Sequence, residues 1–167
     1  EFLSGDIEIR DRMLRGILIS AARSALFNAV VTERVIQKNW DVPLDGEVFG
    51  FAENRSLVLP DNLRGDESSR VANGELNLTA PLWGAGKLQS VELVQDLENT
   101  VIGRFNNFST GLAALGLRQE RRVIRLIPQN PEFRWENKNE LVLKFDLPKG
   151  TYATTVLREL VELITDD

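Results

Sequence analysis

Leu141-Val142-Leu143-Lys144-Phe145-Asp146-Leu147-Pro148-Lys149-Gly150-Thr151-Tyr152-Ala153-Thr154-Thr155-Val156-Leu157-Arg158-Glu159-Leu160 reads as a strand, a break and a helix. Leu141, Leu143, Phe145 and Leu147 alternate with Val142, Lys144 and Asp146, the period of a strand with one buried face. Pro148-Lys149-Gly150 ends it, because Pro presets one turn dihedral and Gly permits a positive one. Thr151 or Thr154 is placed to cap the helix that follows, and Val156, Leu157, Leu160, Val161 and Ile164 form its apolar stripe. Tyr152, the single Tyr of the chain, thus falls where the strand hands over to the helix. There the first backbone N–H groups lack helical partners and a ring can project into a cleft. Taken by pattern alone, the run is an ordinary strand, turn and amphipathic helix.

The literal residues say more. Leu147-Pro148-x-Gly150-x-Tyr152-Ala153-Thr154-x-Val156-x-Arg158-Glu159 resembles the final motif of the TruD family of tRNA pseudouridine synthases. A second block, Ser20-Ala21-Ala22-Arg23-Ser24-Ala25-Leu26-Phe27-Asn28 followed by Glu33-Arg34, resembles the same family, as does the weaker Glu120-Arg121-Arg122 ahead of Leu126-Ile127-Pro128. The resemblance implies isomerisation of uridine 13 in tRNA: the C1′–N1 bond is cut, the uracil turns and a C1′–C5 bond forms. It also implies one catalytic Asp, no metal, no organic cofactor and a cytoplasmic setting. The target base must leave its stack, and flipped bases are commonly held against an aromatic ring. Tyr152 matches the family's uridine-contacting aromatic. Arg23, Lys149, Thr154 and Arg158 are possible RNA contacts or supports of the site. No catalytic residue is assigned within the chain, since the family's Gly-Gln-Lys-Asp-Lys-His type of motif has no counterpart here, and neither has its Asn-Tyr-Phe-Gly block. Asp146 matches no family acid, and an exposed Asp on a half-buried strand is ordinary.

The implied organisation is an insertion domain over residues 1–126, incomplete at its N-terminus, and the C-terminal part of a catalytic domain over 127–167. The expected partners are tRNA and a missing N-terminal catalytic portion, with no membrane. The expected fold class is α+β, with mixed helices and short, mainly antiparallel strands and a C-terminal strand-turn-helix belonging to the catalytic core. Without its missing portion the hairpin and last helix should expose an apolar patch.

Composition narrows the chemistry. The chain has 167 residues, 43% hydrophobic and 27% charged, enough for a sizeable core. It has no Cys and no His, which removes disulfides, thiolate sites, the usual general base and the commonest zinc ligand. No uninterrupted run of about 18 apolar residues is present, so no membrane span is expected. The net charge of −5 has the wrong sign for a surface that grips RNA everywhere, though a local patch suffices. Two clusters qualify, Arg10, Arg12, Arg15 and Arg23, and Arg118, Arg121, Arg122 and Arg125. The plainer reading of each is a solvated helix face paired with acids such as Asp6, Glu8, Asp11 and Glu120.

Along the chain, residues 1–9 read as a ragged end. Arg12 to Lys38 should be a long helix, lacking Pro and rich in Ala, Leu and Arg. Leu14, Ile17, Leu18, Ala21, Ala25, Ala29 and Ile36 share its broad apolar face, which takes in Asn28 as a core amide. Leu26, Phe27, Val30 and Val31 lie elsewhere on the wheel, so the middle turns should be buried nearly all round. Strands are expected at Glu47 to Ala52, Ser56 to Leu59, Glu75 to Thr79 and Arg122 to Ile127, with a hairpin tip at Asn54-Arg55. A short helix is expected at Asp66 to Asn73, ending at Gly74, and one or two helices over Val91 to Asn99 and Phe108 to Leu117, the second closed by Gly116. Phe133 to Trp135 should pair with Leu141 to Leu147 across Asn137-Lys138-Asn139, with Trp135 in the core. Gly84-x-Gly86-Lys87 is not a phosphate loop, for the spacing is too short and no Ser or Thr follows the Lys. Two other classes stay open: a non-catalytic RNA-binding or structural α+β module, and a small hydrolase. The absence of His, Cys and a serine elbow weighs against the hydrolase.

Overall fold

A computed structural model describes residues 2–51, 54, 56–148 and 151–162. Expectations falling on Glu1, Ala52, Arg55, Lys149, Gly150 and Ile164 lie outside the described residues. The chain is α+β and divides into two compact units, Glu1–Arg125 and Leu126–Asp167.

Unit 1 is built on α1 (Arg12–Ile36), a helix opened by Asp11, whose carboxylate accepts from the N–H groups of Met13 (2.8 Å) and Leu14 (3.1 Å). Such an acidic cap satisfies first-turn donors that the helix itself cannot pair. Then follow β1 (Phe49–Phe51), β2 (Leu57–Val58), a 3-10 turn at Pro60–Asn62, α2 (Glu67–Ala72), β3 (Leu76–Leu82), α3 (Glu92–Gly103), α4 (Asn106–Ala114) and β4 (Glu120–Val123). The strands form an antiparallel sheet in the order β2-β1-β3-β4. Central β3 is buried from Leu76 to Pro81. It runs beyond the expected end because Pro81, opposite Arg121 in the register, forfeits only its own N–H. Leu26, Phe27 and Val30 of α1 pack with Ala80, Val101, Ile102 and Leu112 in the main core, and Phe49, Val71, Leu76 and Leu78 form a second cluster. Asp45-Gly46 forms a turn. A Cβ on Gly46, at φ +83, would strike the Val91 carbonyl, and the Asp45 carbonyl accepts from the Val94 N–H (3.2 Å), so this turn seats the start of α3.

Several expectations need correction. The buried side of α1 is Ala22, Leu26, Phe27, Val30 and Arg34, whereas Leu14, Ile17, Ala21, Ala25 and Asn28 face solvent. The sequence is apolar around most of this helix, so periodicity alone does not select the side the sheet takes. The same character makes α1 long and apolar enough, by length and composition, to cross a membrane. Its C-terminal half is nevertheless a core helix with a buried ion pair. The second arginine cluster is not a solvated helix face. It runs from just before β4 to just after it, and Arg121 and Arg125 turn inward. Residues 2–9 carry no helix or strand, yet Leu3 packs on the main core, so this end is not ragged throughout.

Two buried ion pairs brace unit 1. Arg34 binds Glu47 with two parallel bonds (3.1 and 2.8 Å) and donates also to the Asn39 and Val42 carbonyls. Burial pushes the Glu47 carboxyl up, opposed by the Arg34 guanidinium. Arg121 binds both oxygens of Glu98 (2.5 and 3.2 Å) and the Thr79 hydroxyl (2.7 Å), while Ser90 donates to Glu98 (2.6 Å) and Thr79 to the Val48 carbonyl (2.6 Å). These bonds give every charged head an opposite charge and further polar partners, which is what lets ions sit in a core.

Unit 2 comprises β5 (Gln129–Asn137), β6 (Glu140–Asp146) and α5 (Ala153–Arg158). The strands pair antiparallel, with Phe133 opposite Leu143 and Trp135 opposite Leu141. Asn137 closes the turn by accepting from the Asn139 N–H (2.9 Å). β5 is longer than expected and carries Pro131, which the ladder accommodates by an irregularity between Gln129 and Glu132, with Asn130 at φ +50. Among the described residues of this unit none is buried. Trp135, expected in the core, is 62% exposed and Phe133 75%. One ribbon face with one short helix cannot enclose an indole, whatever its hydrophobicity.

Candidate functional site

The strand-turn-helix of unit 2 sets the geometry around Tyr152. β6 ends at Asp146, whose carboxylate accepts from the Asn130 side-chain amide (2.8 Å), and Leu147 and Pro148 carry the chain off the ribbon. Thr151 does not cap the helix. Its hydroxyl donates back to the Pro148 carbonyl (2.7 Å), and its N–H bonds the same oxygen (3.3 Å). Thr154, the alternative cap, lies within the first turn of α5. The residue at the helix boundary is Tyr152 itself, extended at φ −119 and ψ 128, with no side chain capping the helix. Its carbonyl accepts from the Thr155 N–H (3.1 Å). The ring is 75% exposed, so Tyr152 is no packing residue of this unit and its π-face is available to a ligand.

Thr154 and Arg158 follow it on α5, in the first turn and at the last position, both exposed, and Arg158 makes no ion pair among the described residues. The helix is shorter than the apolar stripe suggests. Val156 and Leu157 are half-buried, while Leu160 and Val161 beyond its end are exposed. Lys149 lies outside the described residues. Arg23 stands in unit 1 and is engaged there: its guanidinium donates to the Leu82 (2.7 Å) and Arg118 (3.0 Å) carbonyls and pairs with Glu120 (3.0 Å). Glu120 therefore serves Arg23 rather than the neighbouring arginines. Arg122 lies over the Phe27 ring at 3.9 Å, a cation–π contact that keeps it against the core.

The sequence singles out Arg34 and Arg121 but not Glu47 and Glu98, the buried acids that pair with them. Glu98 offered a signal, since it falls on the buried stripe of α3 with Val94, Val101 and Ile102, where a carboxylate demands a cation. Among the described residues no group of acids has the arrangement of a metal site.

A chain with this α+β architecture has a solved counterpart. A crystal structure from Methanosarcina mazei, assigned as a tRNA pseudouridine synthase D (TruD), superposes with a TM-score of 0.62 at 23% identity, over 82% of this chain and 36% of that one. The likeness extends to sequence. The family profile tRNA pseudouridine synthase D (TruD) matches residues 5–160. The tRNA pseudouridine synthase D of Pseudoalteromonas atlantica is 39% identical over 167 residues, all of this chain and 47% of that protein. The enzyme of that name from Xanthomonas campestris pv. campestris is 43% identical over 152 residues, 90% of this chain and 41% of its own length. The chain belongs to the TruD family, and it spans about half the length of the curated relatives it matches.

Proposed function

We propose that this chain is the C-terminal part of a tRNA pseudouridine synthase, an isomerase that converts uridine 13 of tRNA to pseudouridine in the cytoplasm. Residues 1–126 act as the family's insertion domain and 127–167 as the end of its catalytic domain. The nucleophilic Asp lies outside residues 1–167. Tyr152 holds the flipped uracil by stacking, and Lys149, Thr154 and Arg158 support the neighbouring phosphates. Arg23 orders the insertion domain and does not touch RNA. The observation that carries this reading is the exposed tyrosine at the entry of α5, inside a motif that the family match includes. Stacking of this kind contributes roughly 1–3 kcal/mol per base.

The test compares two proteins on one unmodified tRNA. The intact reading frame, extended upstream of Glu1, should form pseudouridine at position 13, and the 167-residue chain alone should form none at stoichiometric amounts. Product from the short chain would place the nucleophile within it. Absence of product from the intact protein would remove the activity.

A further inference from the structure

α1 carries its charges on the wrong side for a surface helix. At about 100° per residue, all five of its charged residues (Arg12, Arg15, Arg23, Glu33 and Arg34) fall on the half that includes the buried Ala22, Leu26, Phe27 and Val30. The opposite half, which faces solvent, holds no charge over the full 25 residues. Leu14, Ile17, Ala21, Ala25, Asn28 and Val35 run along it, with Leu14, Ile17 and Val35 about half exposed. A solvated helix face is ordinarily charged or polar, and a helix apolar all round is ordinarily buried. At 1.5 Å per residue the face is about 37 Å long, and large apolar side chains stand exposed at both its ends, Met13, Leu14 and Ile17 at one and Val35 and Ile36 at the other.

We propose that this charge-free face of α1 is the seat of the further polypeptide that the family members carry, specifically the portion upstream of Glu1. The inference rests on the reading of the chain as the C-terminal part of a longer enzyme. The relatives contain more than as much chain again beyond the matched stretch, which is ample to cover it. The composition of the face selects polypeptide over other occupants. Phosphate backbones are gripped by cations, and the face has none. A lipid surface does not favour Ser24, Asn28 and Thr32 along the stripe, whereas a packed strand or helix can hydrogen-bond them. Ala21 and Ala25 let a neighbouring backbone come close.

The absence of cysteine in the chain supplies the experiment. Single substitutions Ala21→Cys and Ala25→Cys on the face, with Asp61→Cys as an exposed reference, are labelled with a maleimide and read peptide by peptide by mass spectrometry. In the 167-residue chain all three should label at similar rates. In the intact reading frame, labelling at positions 21 and 25 should slow roughly ten-fold or more while position 61 is unchanged. Thr32→Cys carries the same test should either alanine variant fail to fold. Unchanged labelling in the intact protein overturns the proposal, as does a reading frame with nothing upstream. So does protection in the short chain that grows with its concentration (a second copy), or protection that needs added tRNA or lipid vesicles. Labelling is read without turnover. Protection without pseudouridine formation would sink the enzymatic reading alone, and pseudouridine formation with unprotected cysteines would sink this proposal alone.

Discussion

In unit 1 Arg121 and Glu98 each expose 1% of their side chains, whereas in unit 2 Lys144 and Glu132 form their pair with 73% and 66% exposed. In the first pair Arg121 also donates to the Thr79 hydroxyl and Glu98 accepts from Ser90, whereas the second pair is mostly open to solvent. The contrast repeats in the apolar residues, for Leu26 and Leu112 are fully enclosed while Phe133, Trp135 and Leu141 are open. Unit 1 thus has the interior that makes cooperative folding possible. Unit 2 has a well-registered ribbon and little to fold around. Regular secondary structure and a core are separate achievements, and a hydrogen-bond ladder alone supplies only the first.

The sharpest way to break the comparison is to remove one ion from each unit. Arg121→Met leaves Glu98 buried and unpaired and should lower the stability of unit 1 by about 3–5 kcal/mol, read from the urea midpoint. Lys144→Met in unit 2 should leave that midpoint where it was. Equal shifts would erase the distinction. Next, Leu26→Ala should cost roughly 2–5 kcal/mol through lost transfer energy and a cavity, and Trp135→Ala, a larger deletion, should cost this chain much less. A Trp135 effect matching that of Leu26 would mean that the ribbon is enclosed after all.

A smaller effect is expected at Tyr152, in the intact enzyme. Tyr152→Ala should remove roughly 1–3 kcal/mol of substrate interaction, seen in single-turnover rate, with an unchanged melting temperature. Tyr152→Phe keeps the ring and should be nearly silent. An alanine variant that turns over at the parental rate ends the stacking role. Smallest is a pH effect confined to unit 1. Glu67 accepts from the backbone N–H groups of Arg64 and Gly65, which holds its carboxyl below the ordinary value of 4.5. A depressed carboxylate stabilises the fold fully above its unfolded pKa and loses that contribution as pH falls through the folded one. Glu67→Gln should therefore flatten the acid limb of stability below about pH 4.5 and change little at neutrality. An acid limb identical to that of the parent protein would refute the assignment.

What could be read in the sequence follows what local chemistry decides. Alternation at Leu141 to Leu147 and the turn at Lys138-Asn139 located the hairpin, because period and turn residues act within a few positions. Gly74 and Gly116, both at positive φ, closed α2 and α4 as their places predicted. The rotation of α1 was not legible, because Leu14 and Leu26 are chemically equivalent and only the sheet chooses between them. Nor was the fate of the arginines. Whether Arg121 meets water or Glu98 depends on residues far apart in the chain, and a tally of charge treats both outcomes alike. The type of Trp135 predicts a core place, and none of the described residues of its unit is buried. Of the candidate site, the position of Tyr152 between strand and helix was readable from Pro148 and the alternation before it. The backward bond of Thr151, which replaces the expected cap, was not.

The Arg34–Glu47 pair also constrains how such a chain can drift. Losing either partner alone strands the other charge out of reach of water, at about 3–5 kcal/mol, a large share of the 5–15 kcal/mol that a domain ordinarily has. An apolar couple of similar volume in the same place can be as stable as the ions or more so. Two acceptable genotypes are thus separated by single-step intermediates of much lower stability. Lineages would cross that valley rarely, by near-simultaneous change or after gaining stability elsewhere, so the two positions should be inherited as one character although 13 residues part them.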